Sequence, residues 1–160
     1  MLEAGTPQTK ALLASLREYH LDFKTANTSP ILGEQQFEES TSDHVTLNIS
    51  YELGDHTINS VTGWQKYNLD GAKDQDSTAR TLIYSPEFNE NYQQFSQELR
   101  LTSPGGETLD YIVGAYFQSS DLEYSEVSTV YPLAMRGERD FKSSSDLWAV
   151  FSQFDYKVMD

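Results

Sequence analysis

Residues Val45 to Leu53 alternate strictly. Val45, Leu47, Ile49, Tyr51 and Leu53 are apolar, and Thr46, Asn48, Ser50 and Glu52 between them are polar. Period two over this length faces one side of an extended chain to an apolar medium and the other to a polar one, so it predicts a half-buried strand. Gly54-Asp55 follows at once, and glycine in the first central position accepts the positive φ of a two-residue II′ turn. Folding back over 56–68 then sets Leu53 opposite His56, Tyr51 opposite Ile58 and Val45 opposite Trp64. The apolar side weakens at Ser60 and Thr62 and recovers at Trp64.

A second pair of strands follows the same logic. Phe95, Gln97, Leu99 and Leu101 share one face, with Ser96, Glu98, Arg100 and Thr102 on the other. Ser103-Pro104-Gly105-Gly106-Glu107 reverses the chain, and Leu109, Tyr111, Val113, Ala115 and Phe117 share a face of the strand after it. A three-residue loop of Pro104, Gly105 and Gly106 aligns Leu101 with Leu109 and Leu99 with Tyr111. It sets Arg100 opposite Asp110 on the polar face, a cross-strand pair of ~0.2–1 kcal/mol. A fifth strand over 144–159 places Trp148, Val150, Phe154, Tyr156 and Val158 together, with Ser152 as the small exception.

The rest reads differently. Residues 8–19 are the one helix-like run, without a clean apolar stripe, and suit a short surface helix or loop insertion. Residues 20–43 are acidic loop chemistry. Residues 1–43 are therefore expected to precede the strands as loop and short helix, and 44–160 to carry the sheet. Segments 69–92 and 119–143 barely alternate and read as connections of about 24 residues each. Structureless connections of that length are uncommon in compact soluble domains. Short turns at one end and long loops at the other, with strands long enough for a tilted bilayer crossing, characterise outer-membrane barrels.

Composition narrows the classes. With 25 acidic and 11 basic side chains the formal charge is −14, which argues against a nucleic-acid partner. The absence of cysteine excludes disulfide frameworks and thiolate metal sites. No stretch is long and apolar enough for a spanning helix, which leaves a β-barrel open, since only alternate residues of its strands need be apolar. The first residues lack a signal-type apolar core and the last stop within a strand pattern, so the chain is expected to be an excerpt of a longer polypeptide or a truncated gene product.

Signals of chemistry are weak. His20, His44 and His56 lack metal-ligand spacing. Asp70, Asp74 and Asp76 read as a solvated acidic loop in preference to a calcium site. Glu52 and Glu98 are explained more simply as polar-face carboxylates than as a glycosidase pair. Asn27-Thr28-Ser29 and Asn48-Ile49-Ser50 match the glycosylation sequon, which in an outer-membrane barrel is coincidental. No nucleophile elbow, P-loop or dinucleotide fingerprint occurs. No catalytic residue, metal or cofactor is expected. Tyr84, Phe88, Tyr92 and Tyr131, in the long segments, are the candidate ligand contacts, because rigid aromatic surface on an outward loop suits binding. Trp64, Tyr67 and Trp148 suit an interfacial aromatic girdle.

The stretch FSQELRLTSPGGETLDYIVGAYFQ resembles the barrel of TonB-dependent outer-membrane receptors. Ser96, Gln97, Glu98, Arg100, Leu101 and Ser103 match one strand of that pattern, and Asp110, Tyr111, Gly114, Tyr116 and Phe117 the next. Leu53-Gly54-Asp55 with Ser60-Val61-Thr62-Gly63-Trp64 resembles the preceding hairpin, and DLWAVFSQFDYKVMD the following strand. The resemblance covers about residues 44–158. It implies an all-β, antiparallel, up-and-down transmembrane barrel, of which five or six strands are present, with long extracellular loops and short periplasmic turns. It implies uptake across the cell outer membrane of a scarce nutrient, such as a ferric siderophore, haem, cobalamin or an oligosaccharide. The partners would be that extracellular ligand, outer-membrane lipid, and a TonB complex acting through a plug and N-terminal box that this chain lacks. A soluble antiparallel β-barrel binding a small ligand is the alternative, and a carbohydrate-active β-domain a third reading.

Overall fold

The computed structural model describes residues 12–28, 35–76, 82–106 and 108–158. They form one antiparallel sheet of six strands in sequence order. The strands are β1 (Leu12–Thr28), β2 (Gln35–Leu53), β3 (His56–Asp74), β4 (Ile83–Thr102), β5 (Leu109–Val130) and β6 (Met135–Tyr156), with one 3₁₀ turn at Tyr131–Leu133. The sheet is open: among the described residues nothing pairs with the outer edge of β1 or of β6.

The first hairpin matches its expected register, with Leu53 opposite His56, Tyr51 opposite Ile58 and Val45 opposite Trp64. Gly54 has φ 63°, while Asp55 is not in the positive-φ region, the combination a II′ turn requires. The second hairpin differs. Leu101 faces Val113, Leu99 faces Ala115, and Arg100 faces Gly114. The last ladder rung beyond the strands is Ser103 N–H to the Tyr111 carbonyl at 3.0 Å. The reversal is thus longer than three residues. Gly105 and Gly106 both take positive φ, and the Gly106 amide donates to the Asp110 carboxylate at 3.2 Å, so Asp110 clips the turn. The faces are preserved because the slip is an even number of residues.

Two further expectations are corrected. The helix-like run and the acidic loop before residue 44 are strand where described: β1 pairs with β2 along its whole length, from Leu12 opposite Tyr51 to Thr28 opposite Gln35. Residues 8–11 of that run, and Ser29 of the first sequon, lie outside the described residues. The segments read as long loops are mostly strand as well. β3 continues to Asp74, β4 begins at Ile83, β5 runs to Val130 and β6 starts at Met135. The physical reason lies in the two sides of these extensions: both are polar, so the period-two signal fades while backbone pairing continues.

The sheet has one bare and one sheltered side. In β3, β5 and β4 beyond its bulge, every exposed strand residue lies on a single face: Trp64, Lys66 and Asp70; Leu109, Ala115, Asp121, Glu123 and Ser125; Phe95 and Leu99 among those of β4. The lower half of this face is an apolar belt. Val45, Leu47, Ile49, Tyr51 and Leu53 of β2 lead across Ile58 and Trp64, Leu101, Leu99 and Phe95, and Val113, Ala115 and Phe117, to Phe154, Val150 and Trp148 of β6. Among the described residues no second layer covers it. Val150 is 89% exposed, Trp148 77%, Phe154 61% and Leu99 53%, while the buried hydrophobics among the described residues are Ala72, Tyr84 and Phe88. From Leu109 to Phe117 the belt spans about 27 Å of strand, about 20 Å in height at a ~40° tilt, close to the apolar band of a membrane barrel.

Its polar exceptions satisfy one another. The Thr62 hydroxyl donates to Gln97 Oε1 at 2.6 Å, and Gln97 Nε2 donates to Ser60 Oγ at 2.9 Å and to the Glu98 carbonyl at 3.0 Å. An amide so bonded sits in an apolar medium at far lower cost than a free one.

Candidate functional site on the sheltered wall

The opposite face carries the polar set expected of it: Asn48, Glu52, Glu98, Arg100, Asp110 and Gln118 alternate with the belt residues. The anticipated Arg100–Asp110 pair is absent. The slipped register puts Asp110 four residues from the position opposite Arg100, so Arg100 Nη2 donates to Glu98 and Asp110 lies 3.8 Å from Lys157 Nζ. The Arg100 guanidinium stands 5.8 Å from the centre of the Phe151 ring, a cation–π distance. Glu52 and Glu98 are two strands and four residues apart in register, on the order of 16 Å, too far for a pair of glycosidase carboxylates.

Above the belt this wall becomes aromatic. The Tyr67 and Tyr92 rings, directly opposite on β3 and β4, stack with centroids 5.3 Å apart. Tyr67 donates to Glu90 and Tyr92 to Gln94. Tyr67 therefore belongs to the inner wall and not to a girdle; Trp64 and Trp148 do lie on the outer face, at the upper rim of the belt.

At the top sits a cluster that the sequence did not single out. Glu126 of β5 is 3% exposed. It accepts from the Ser85 hydroxyl at 2.7 Å and from Gln75 Nε2, and lies 3.5 Å from Lys73 Nζ and 3.4 Å from Arg139 Nη1. Four consecutive strands, β3 to β6, converge on it or border it. Burial by itself would raise the Glu126 pKa; the hydrogen bonds from Ser85 and Tyr124 and the Lys73 charge outweigh it and hold the carboxyl below its ordinary value. Bulges in β3 and β4 build the cluster: register shifts between Gly71 and Lys73 and between Tyr84 and Glu87, which re-aim Ser85 inward. Lys73 also lies 4.4 Å over the Phe88 ring. The signal that could have found this site is the order Lys73, Gln75, Ser85 and Glu126, but only with the bulges known does it fall on one face.

The four aromatic candidates are strand and turn residues, not loop residues. Phe88 and Tyr92 lie on the sheltered wall of β4. Phe88 packs over Gly71, where a Cβ would come within 2.5 Å of its ring. Tyr84 is buried just beyond the bulge, and Tyr131 is 45% exposed at the β5–β6 tip, its amide bonded to the Leu82 carbonyl at 3.0 Å. Of the acidic trio, Asp70 stands apart and accepts from Asn89, while Asp74 accepts the Asp76 amide at 3.2 Å and Asp76 accepts the Leu82 and Ile83 amides at 2.6 and 2.7 Å and closes the β3–β4 connection. Among the described residues no three acids, histidines or cysteines gather as a metal site. The arrangement offers hydrogen bonds, rings and charge to a ligand.

No protein-family model matches this chain, and no curated protein resembles it in sequence. Among solved structures, the ferric yersiniabactin uptake receptor FyuA from Yersinia pestis matches with a TM-score of 0.64 at 13% identity, over 96% of this chain and 34% of that one. The membrane pore complex of pneumolysin aligns at a TM-score of 0.24 and 10% identity, over 91% of this chain and 30% of that one, too loosely to bear on the fold. This chain therefore spans about a third of the length of the receptor it resembles, and shares its fold as an antiparallel, up-and-down portion of a β-barrel.

Proposed function

We propose that this chain is part of the barrel wall of a TonB-dependent receptor in the cell outer membrane. The carrying observation is the apolar belt: it runs across the sheet from β2 to β6, no layer among the described residues lies upon it, and its upper rim holds Trp64, Phe95, Phe117 and Trp148. A water-soluble barrel would turn such a face inward. The fold shared with an uptake receptor supports the same reading, as does the sequence resemblance over 44–158. The open edges of β1 and β6 pair in this reading with further strands of a closed barrel, because lipid leaves no unsatisfied backbone.

The wall works by binding and gating, without bond chemistry. Its sheltered upper half, with Tyr92, Phe88, Lys73 and Arg139, borders the path of an extracellular ligand. A ferric siderophore is the leading cargo, with haem, cobalamin or an oligosaccharide as the other classes, and release depends on the TonB complex acting through a plug. The test is fractionation of the full native gene product. It should sediment with outer membranes and resist alkaline extraction; recovery as a folded soluble monomer would overturn the reading. Uptake of each cargo class by cells with and without the gene then identifies the substrate.

A further inference from the structure

His20 of β1 meets a carboxylate at each of its two ring nitrogens. Nδ1 lies 2.5 Å from an Asp43 oxygen, and Nε2 lies 3.2 Å from an Asp22 oxygen. A neutral imidazole carries one N–H and can donate to one of them; its other nitrogen would turn a lone pair toward the second carboxylate. The arrangement is that of the imidazolium, which donates to both. His20 stands directly opposite Asp43 across the β1–β2 ladder, so that bond ties two strands, while the bond to Asp22 runs along β1.

The tie lies on the outer face just above the belt. Asp43 is opposite Lys66 of β3, two residues beyond the Val45–Trp64 pair. Glu18 precedes His20 on this face of β1 and Lys24 follows Asp22; Lys24 is opposite Glu39 of β2 and binds it at 2.6 Å. Among the described residues β2 is the one strand flanking β1. The surroundings of His20 are thus four carboxylates, Glu18, Asp22, Glu39 and Asp43, and two cations, Lys24 and Lys66. The Lys24–Glu39 tie keeps its charges across neutrality. The His20 tie does not, because histidine titrates there. The hydrogen bond to Asp43 and the charge of Asp22 lift the His20 pKa above its ordinary value. Loss of the proton removes one N–H and leaves one of the two acids without its donor.

We propose that His20 is a proton-dependent fastener that holds β1 to β2 above the belt, closed when the imidazole bridges Asp22 and Asp43 and released when it gives up its proton. The fastening is complete below the ordinary histidine range and is lost as pH rises through the raised folded value. It does not depend on which medium meets the belt. The test uses the full native protein in detergent. Imidazole resonances are followed by NMR, that of His20 being the one lost in His20→Gln, and amide exchange over 19–23 is measured against pH after correction for the intrinsic rate. The His20 midpoint should lie above that of a free histidine and fall back in Asp43→Asn. Exchange over 19–23 should quicken about three-fold as pH rises through that midpoint, a modest change because the groups are open to water. His20→Gln should remove the step. Amides beside the Glu123–Lys142 tie of β5 and β6, which keeps its charges over this range, should show none. A His20 midpoint at or below the free value, or a step that persists in His20→Gln, overturns the proposal.

Discussion

Phe151 of β6 lies opposite Gly114 of β5, and its ring fills the space that a Cβ on Gly114 would need. The Leu99 carbonyl stands only 2.9 Å from the same point, on the other neighbouring strand. A ring over a glycine restores the contacts that the missing side chain forfeits. Gly114→Ala is expected to destabilise the sheet by about 1–3 kcal/mol, the usual cost of overpacking. Adding Phe151→Ala should recover part of the loss and not all, because the backbone clash with Leu99 persists. Denaturant unfolding of the two single variants and the double variant in detergent checks this.

The buried carboxylate at the top of the wall sets a second expectation. Glu126→Ala takes from the hydroxyl of Ser85, which is 0% exposed, its 2.7 Å acceptor and leaves it only the Ser128 hydroxyl at 3.3 Å. It also frees Lys73 and Arg139, both partly in water, so their share of the loss is small. About 1–3 kcal/mol of local stability should go, read as faster amide exchange in the upper halves of β4 and β5 with the belt unchanged.

The same group gives a pH dependence. The Glu126 pKa lies below its ordinary value in the fold. Its stabilising contribution is therefore complete above the ordinary glutamate range and is lost as pH falls through the lowered folded value. Amide protection of the upper β5 strand should fall on acidification in the parent protein, and Glu126→Gln should flatten that step.

The hairpin from Val45 to Trp64 was legible to the residue, since one of its sides is greasy and the other polar, and its turn has one glycine and no slack. The Arg100 register was misjudged by four residues, because two glycines and an aspartate clip allow a longer turn with the same faces. The upper strands were illegible for another reason. Leu122, Tyr124 and Glu126 alternate with Asp121, Glu123 and Ser125, polar groups occurring on both sides, so hydrophobic period carries little information there. The Glu126 cluster lay hidden with them: bulges at Gly71–Lys73 and Tyr84–Glu87 break the count that would have put Lys73, Ser85 and Glu126 together.

The belt makes a depth-dependent prediction. Val150 is so exposed that replacing it removes almost no packing within the chain. In water Val150→Arg would cost within about 0.5 kcal/mol; facing hydrocarbon it should cost about 2–4 kcal/mol. Ser125→Arg, on the same outer face well above the aromatic rim, is the matched control and should be neutral. Folding efficiency of both variants into lipid vesicles separates the cases.

The most direct test of the central claim uses Trp64 and Trp148, both on the outer face at the upper rim of the belt, each read by difference against its Phe variant. The full native protein is folded into vesicles whose acyl chains carry bromine at a shallow or a deep position, and tryptophan fluorescence is recorded. If the belt meets hydrocarbon, the emission lost in Trp64→Phe and in Trp148→Phe is in each case emission that both lipids quench, the shallow bromine more strongly than the deep one. If the emission lost with each substitution is indifferent to bromine at either depth, this face touches water or protein, and the receptor-wall account is wrong.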